Sequence, residues 1–173
     1  MKDTNEPLVV ERGPYAAPHD TELPTGAVSR PMMRPARTAR LELYRVAPVG
    51  TKRQTLDIAK RQLGIARDAI AFGGWTQGVL AVEEGDFECQ PIDPKARAWS
   101  LGGAMFKAFG VGEYWHGTPA DIAVAAVRQS IRNRHNCTAL YFNDMVASSA
   151  SDVIAEINVA IDLLDEIIDE RGL

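Results

Sequence analysis

Cysteine is scarce, with two in 173 residues. That is too few for the disulfide framework of a small secreted domain, so the expected setting is a reducing cytoplasm. No apolar run approaches the roughly 18 residues needed to cross a bilayer. The opening Met1-Lys2-Asp3-Thr4-Asn5-Glu6-Pro7 has none of the apolar stretch of a secretory leader. An excess of either charge is lacking too: 19 basic against 23 acidic side chains leave a net charge of −4. A highly basic, collagenous or wholly disordered chain is thereby excluded. What is left is a globular composition, long enough for one domain or for one compact domain with a tail. It names no activity.

Proline divides the chain, because seven of its ten prolines (Pro7, Pro14, Pro18, Pro24, Pro31, Pro35 and Pro48) fall within the first 50 residues. Each fixes φ and removes a backbone donor, so neither a helix nor a central strand runs through them. Scraps such as Leu8-Val9-Val10 and Leu41-Glu42-Leu43 bury too little area to offset their ordering entropy. Residues 1–50 therefore read as an extended, basic-ended arm, and 51–173 as a single mostly helical domain. The expected fold class is mostly α, a four-helix body with a small β-hairpin.

Within that body, Leu56, Ala59, Leu63, Ala66 and Ile70 repeat at helical spacing, and Gly73-Gly74 ends the run. Val79-Leu80-Ala81-Val82, a Gly85-containing turn, then Phe87 and Cys89 predict a hairpin. Asp93-Pro94 reads as the cap and first turn of a helix carrying Trp99, Met105, Phe106 and Phe109 and stopping at Gly110. Thr118-Pro119 with Asp121 marks the next start, with Val124, Val127 and Ile131 inward and an end near Asn133 to Asn136. Thr138 to Phe142 reads as a buried extended segment. Ser149 with Asp152 is again a capping box, before a helix whose stripe runs from Val153 to Ile168. So long a stripe predicts an uncovered part, and with it self-association.

The order of these landmarks is familiar. Trp75-Thr76-Gln77-Gly78 is followed by Trp99-Ser100-Leu101-Gly102-Gly103-Ala104, then Asn143-Asp144, then Asp152-Val153-Ile154 with Ala160-Ile161. It resembles a family of small bacterial and bacteriophage proteins known only as domain of unknown function six-one-nine-seven. That family has a W-T-Q-G element, a W-C-L-x-G-A helix, and W-N-D before D-V-L-x-x-L-D-x-A-I. The resemblance covers roughly Leu56 to Ile161 and leaves out the arm. Ser100 stands in place of the family's Cys and Phe142 in place of its Trp, so any chemistry of that Cys is lost here. The resemblance implies a fold and a phage or bacterial setting, and brings no activity.

Read as chemistry, the constellations are thin. Ser100 lacks the G-x-S-x-G elbow and a preceding strand, so it reads as a helix serine. Gly102-Gly103 inside a helix costs about 1 kcal/mol per residue relative to alanine. The expected compensation is close approach of another backbone, with the last helix as the candidate. His116, His135, Cys89 and Cys137 lack the paired spacing of a zinc site, and nothing marks Cys137 as a thiolate nucleophile. Asn143-Asp144 reads as polar side chains satisfying backbone donors, with a catalytic or metal carboxylate, partnered by Asp121 or Glu113, as the alternative. No catalytic residue, metal or cofactor is assigned.

Contact candidates are clearer. Glu113-Tyr114-Trp115-His116 lies in a loop between glycines, where Trp115 and His116 suit a binding anchor. From Arg30 to Arg67 ten basic residues face two acidic ones, while Asp152 to Glu170 carries seven acids and no base. The binding candidates are accordingly Arg30, Arg34, Arg37, Arg40, Arg45, Trp115, His116 and Asp144. The basic stretch fits either docking on an acidic helix or contact with nucleic-acid phosphates, which the acidic balance of the body opposes. The expectation is a non-enzymatic interaction protein of phage or mobile-element type. Its partner is a protein surface, its own included, in an assembly or on a host target, and no membrane. Its place is the cytoplasm of a bacterial or infected cell, or a virion. A nucleic-acid accessory protein using Arg30–Arg67 is the alternative, and a small hydrolase or metal enzyme using His116, Asp144, His135 and Cys137 comes third.

Overall fold

The computed structural model describes residues 46–110 and 118–173. Four helices form the body: α1 (Arg53–Phe72), α2 (Leu101–Phe109), α3 (Pro119–His135) and α5 (Ala150–Arg171). Between α1 and α2 lie two short strands, β1 (Ala81–Val82) and β2 (Ala98–Trp99). Between α3 and α5 come a single turn, α4 (Ala139–Tyr141), and a π-helical turn over Phe142–Val146. The fold class is thus the one the periodicity predicts: mostly helical, with a small two-stranded antiparallel sheet.

α1 is the centre. All five residues of its predicted stripe are buried, and it packs against α2, α3 and α5. Ala59 and Ala66 are small enough to let those helices come close, while Leu56, Leu63 and Ile70 fill the space between them. Polar contacts flank the α1–α5 seam, where Lys60 pairs with Asp165 and Arg53 donates to the Leu173 carbonyl. Val46 and Ala47, from the segment read as an arm, are buried in the same core, and Arg171 donates to the carbonyls of Ala47 and Pro48.

The last helix departs from expectation. Val153, Ile157, Ala160, Leu164, Ile167 and Ile168 are all buried, and Ile154 and Ile161 are partly buried against the same core, so most of the stripe is covered within the chain. Its length is matched by the 20-residue α1 lying along it. Its ends are closed as the sequence predicts. Ser149 and Asp152 form a reciprocal capping box, and Gly172, at φ 62°, closes the C-terminus.

The sheet is built differently from a plain hairpin. Val82 does bridge Glu88 across a turn with Asp86 at φ 62°. The ladder itself, however, joins Ala81 to Trp99 and Val82 to Ala98. On its far side Trp99 donates to the Gly74 carbonyl (3.1 Å) and accepts from Thr76 (3.3 Å). Four segments thus lie side by side, with 80–83 and 97–100 in the middle. Trp99 is therefore a strand residue, its indole donating to the Pro91 carbonyl (2.8 Å) beneath the Lys107 ammonium. Asp93-Pro94 does not start a helix; Asp93 instead caps a local turn by accepting from Lys95 N–H. The helix waits until Ser100, which is its N-cap and accepts from Gly103 N–H (3.1 Å). The Thr138–Phe142 stretch is helical rather than extended and buried: Thr138 caps it, and Leu140 and Tyr141 are exposed.

The two glycines of α2 separate cleanly. A Cβ on Gly103 would lie 1.7 Å from the Leu80 carbonyl oxygen, so the close backbone approach exists, but to the residue just before β1 and not to the last helix. A Cβ on Gly102 would make only ordinary contact with a Leu80 methyl at 3.4 Å. Gly103→Ala is expected to cost about 3 kcal/mol, the upper end for overpacking, or to prevent folding. Gly102→Ala should stay within about 1 kcal/mol of the wild type. Urea denaturation of both variants checks the contrast.

Hydrogen bonds from the backbone and hydroxyl of Ser148, joined by those from Ser149, hold the Asp152 carboxyl below its ordinary value of 3.8. A depressed carboxylate contributes stability that is complete above the unfolded-state value and is lost as pH falls through the folded one. Stability curves should therefore show wild type and Asp152→Asn converging as pH drops from 5 to 2, with the wild type ahead at the upper end.

Candidate functional site

Three of the four sequence landmarks meet at one place. α1 ends at Gly73, and the chain turns so that Trp75 lies beside Trp99. From there the Trp75 indole donates to Asn143 Oδ1 (3.0 Å), and the same oxygen accepts from Leu101 N–H (2.9 Å) at the start of α2. The other half of that amide, Nδ2, donates to Asp144 Oδ1 (2.7 Å) and toward the Thr76 carbonyl (3.4 Å). Gln77 Nε2 donates to the carbonyls of Asn143 (3.0 Å) and Ala147 (3.2 Å), with that of Asp144 at 3.4 Å. Asp144 Oδ1 accepts from Gly78 N–H (3.0 Å).

The π-helical turn explains why a glutamine is used here. A π-turn displaces carbonyls from ordinary helical pairing, and one side-chain amide reaches three of them. Asn143 is 2% exposed and meets acceptor and donor demands at once, which a carboxylate or an aliphatic residue cannot do. Asn143-Asp144 thus satisfies backbone donors, as expected, but those of α2 and of the Gln77-Gly78 turn. Ser100 is buried, its hydroxyl held between Gly103 N–H and the Leu80 carbonyl (3.3 Å).

A second polar cluster ties α3 to α5. Glu156, 1% exposed, accepts from Ser130 Oγ (2.7 Å), meets His135 Nε2 at 2.9 Å and pairs with Arg134 at 3.1 Å. The His135 ring lies against Phe142, with centroids 4.7 Å apart. Glu156 is thus not part of a solvated acidic face. Its spacing from Val153 and Ala160 already places it on the buried stripe, and that register is the signal by which the sequence reveals it.

Against the landmark network lies an apolar cleft of about 200 Å³, walled by Leu80, Leu101, Met105, Phe106, Val124 and Val127, with Arg128 and Leu140 among its other lining residues. From Leu140 onward several large apolar side chains stand exposed: Leu140 is 74% exposed, Tyr141 55%, Met145 69% and Val146 41%. No motif pointed to these residues; their signal is five large apolar residues inside seven positions, of which Phe142 alone is buried, flanked by the Thr138 cap and the Ser149 cap.

Of the predicted contact residues, Asp144 is half-buried and bound within the network. Arg30, Arg34, Arg37, Arg40, Arg45, Trp115 and His116 lie outside the described residues. His135 is engaged by Glu156, and Cys89 and Cys137 pack against the core as small apolar fillers. Among the described residues no group of three or more His, Cys, Asp or Glu side chains is placed to hold a metal, so Asp144, His135 and Cys137 are not brought into one centre. No helix among them is long and apolar enough to cross a membrane.

Fold and site together define a small helical domain whose landmarks clamp a π-helical turn beside an apolar cleft. The chain belongs to the family of unknown function DUF6197, whose model matches residues 55–163. Neither a curated protein nor a solved structure matches it.

Asn143→Ala removes the acceptor shared by the Trp75 indole and Leu101 N–H and should lower stability by about 3 kcal/mol, as expected for stranded buried donors. Asp144→Asn keeps an acceptor oxygen for Gly78 and should cost about 1 kcal/mol or less. Denaturant unfolding followed by tryptophan fluorescence measures both.

Proposed function

We propose that the chain is a non-catalytic interaction module that offers Leu140, Tyr141, Met145 and Val146, together with the adjoining cleft, to a protein partner. One observation carries this reading: large apolar side chains stand exposed on a segment whose backbone is held in place by Gln77 and Asn143. Single exposed apolar residues, such as Phe72 or Phe87, are ordinary. Several such side chains close together in sequence on a fixed backbone are what a partner surface needs, because the ordering cost is met before binding. The phage or bacterial setting implied by the resemblance makes a host or assembly protein the natural partner.

The nucleic-acid reading has less support. Of the described cations in the basic stretch, Lys60 is matched by Asp165, Arg53 by Asp57 and Arg67 by Asp68. That reading therefore rests on Lys52 and Arg61 and on Arg30, Arg34, Arg37, Arg40 and Arg45, which lie outside the described residues.

A photo-crosslinking amino acid placed at Met145, in a bacterial host producing the protein, should give a discrete protein adduct at least tenfold above the same probe at exposed Asp162. Equal labelling at the two positions would overturn the proposal.

A further inference from the structure

The cleft differs from the patch around it in having a cation at its mouth. Its walls are apolar, and its volume of about 200 Å³ exceeds the roughly 150 Å³ that suffices to hold a benzene ring in an apolar cavity. It has room for one leucine, phenylalanine or comparable side chain. Arg128 lines the cleft and also the adjoining depression, which Arg132, one helical turn further along α3, shares with it. Both guanidinium groups are exposed, and neither makes a hydrogen bond or ion pair with the described residues. The nearby acid on that stripe is Asp121, at the start of the helix and already engaged.

This situation is unlike that of several other cations of the body, and among the unpaired ones Arg128 and Arg132 are set apart by lining the cleft or the depression beside it. Arg53, Lys60, Arg67, Arg134 and Arg171 are all paired or bound to carbonyls. Two unpaired arginines side by side repel each other weakly and are relieved by a carboxylate, and a guanidinium at the rim of an apolar contact steers and registers an acidic partner.

Resting on the interaction reading above, we propose that the partner enters through a short acidic-apolar segment. One large apolar side chain fills the cleft, and an Asp or Glu within a turn of it pairs with Arg128, with Arg132 adding to the attraction. The anchor supplies the affinity, since it leaves water completely, and the carboxylate supplies orientation and selectivity. A basic segment with the same anchor is rejected by the two guanidinium groups.

Selection of random dodecapeptides displayed on phage against the full chain tests this. Enriched peptides should carry Leu, Phe or Trp with an acidic residue within four positions. A synthetic peptide of that sequence should bind Arg128→Glu at least tenfold more weakly than wild type, and Val124→Phe, which fills the cleft, at least tenfold more weakly as well. Leu140→Asp, at an exposed position, replaces Val124→Phe should that variant fail to melt as the wild type does. Enrichment of basic or uncharged peptides, absence of enrichment, wild-type affinity for these variants, or preferential binding of decanoate would each overturn the proposal. A Met145 crosslink without acidic preference removes this inference and leaves the interaction reading standing, whereas loss of the crosslink removes both.

Discussion

The structure hangs on the side-chain amide of Asn143. Three elements distant in sequence, the Trp75-Thr76 segment, the first turn of α2 and the π-helical turn, meet at the edge of the core through Trp75, Leu101 and Phe142, but apolar contact alone is non-directional and sets no register. One buried amide supplies the register instead, accepting from an indole and a helix N-terminus while donating to a carboxylate and toward a carbonyl. Buried amides of this kind are costly when half satisfied and strongly specifying when complete. This one is complete, and Gln77 extends it over the carbonyls the π-turn leaves over. The outcome is an irregular segment tied down by side-chain amides, with Phe142 buried and Met145 and Val146 exposed.

Gly103 is the steric counterpart of that polar register. α2 must start where β2 stops, within one residue, and its first turn must slide under the Leu80 carbonyl. Ser100 serves both purposes. It caps α2 through its hydroxyl, and its N–H extends the ladder to Leu80 (3.0 Å). The helix-penalising glycine and the strand-to-helix junction are thus one solution, and they set the floor of the cleft. The cleft adjoins this register: Ser100, Leu101 and Asn143 line it together with Val124 and Val127 of α3.

Sequence pattern was most informative where a single periodicity or cap decides the matter. α1's stripe, the capped start of α3, its left-handed end at Asn136 and the capping box of α5 are all local. Pattern failed where a non-local partner overrules a local signal. Asp93-Pro94 has the residues of a helix start, yet the chain there completes a sheet, because Trp99 gains ladder bonds on both sides and a carbonyl for its indole. Thr138–Phe142 has the apolar run of a strand, but Thr138 caps it into a turn. The landmark residues were visible one by one; that they touch one another was not, since 65 or more positions separate Trp75 and Gln77 from Asn143.

The same reasoning separates two kinds of charge in this molecule. The acidic run of α5 looks uniform in sequence, yet Asp152 is a cap, Glu156 is a buried knot between helices and Asp165 is the partner of Lys60. Much of that charge therefore serves the fold. α3 shows the reverse: Arg134 is drawn inward to Glu156, while Arg128 and Arg132 on the same helix are left without a counterion among the described residues. A side chain whose charge is already matched has little to offer a partner, because pairing it again requires breaking what it holds. Two unmatched guanidinium groups beside an unfilled apolar cleft have no such cost, and for that physical reason the proposed binding surface is placed at the α3–α4 edge and not on the more heavily charged last helix.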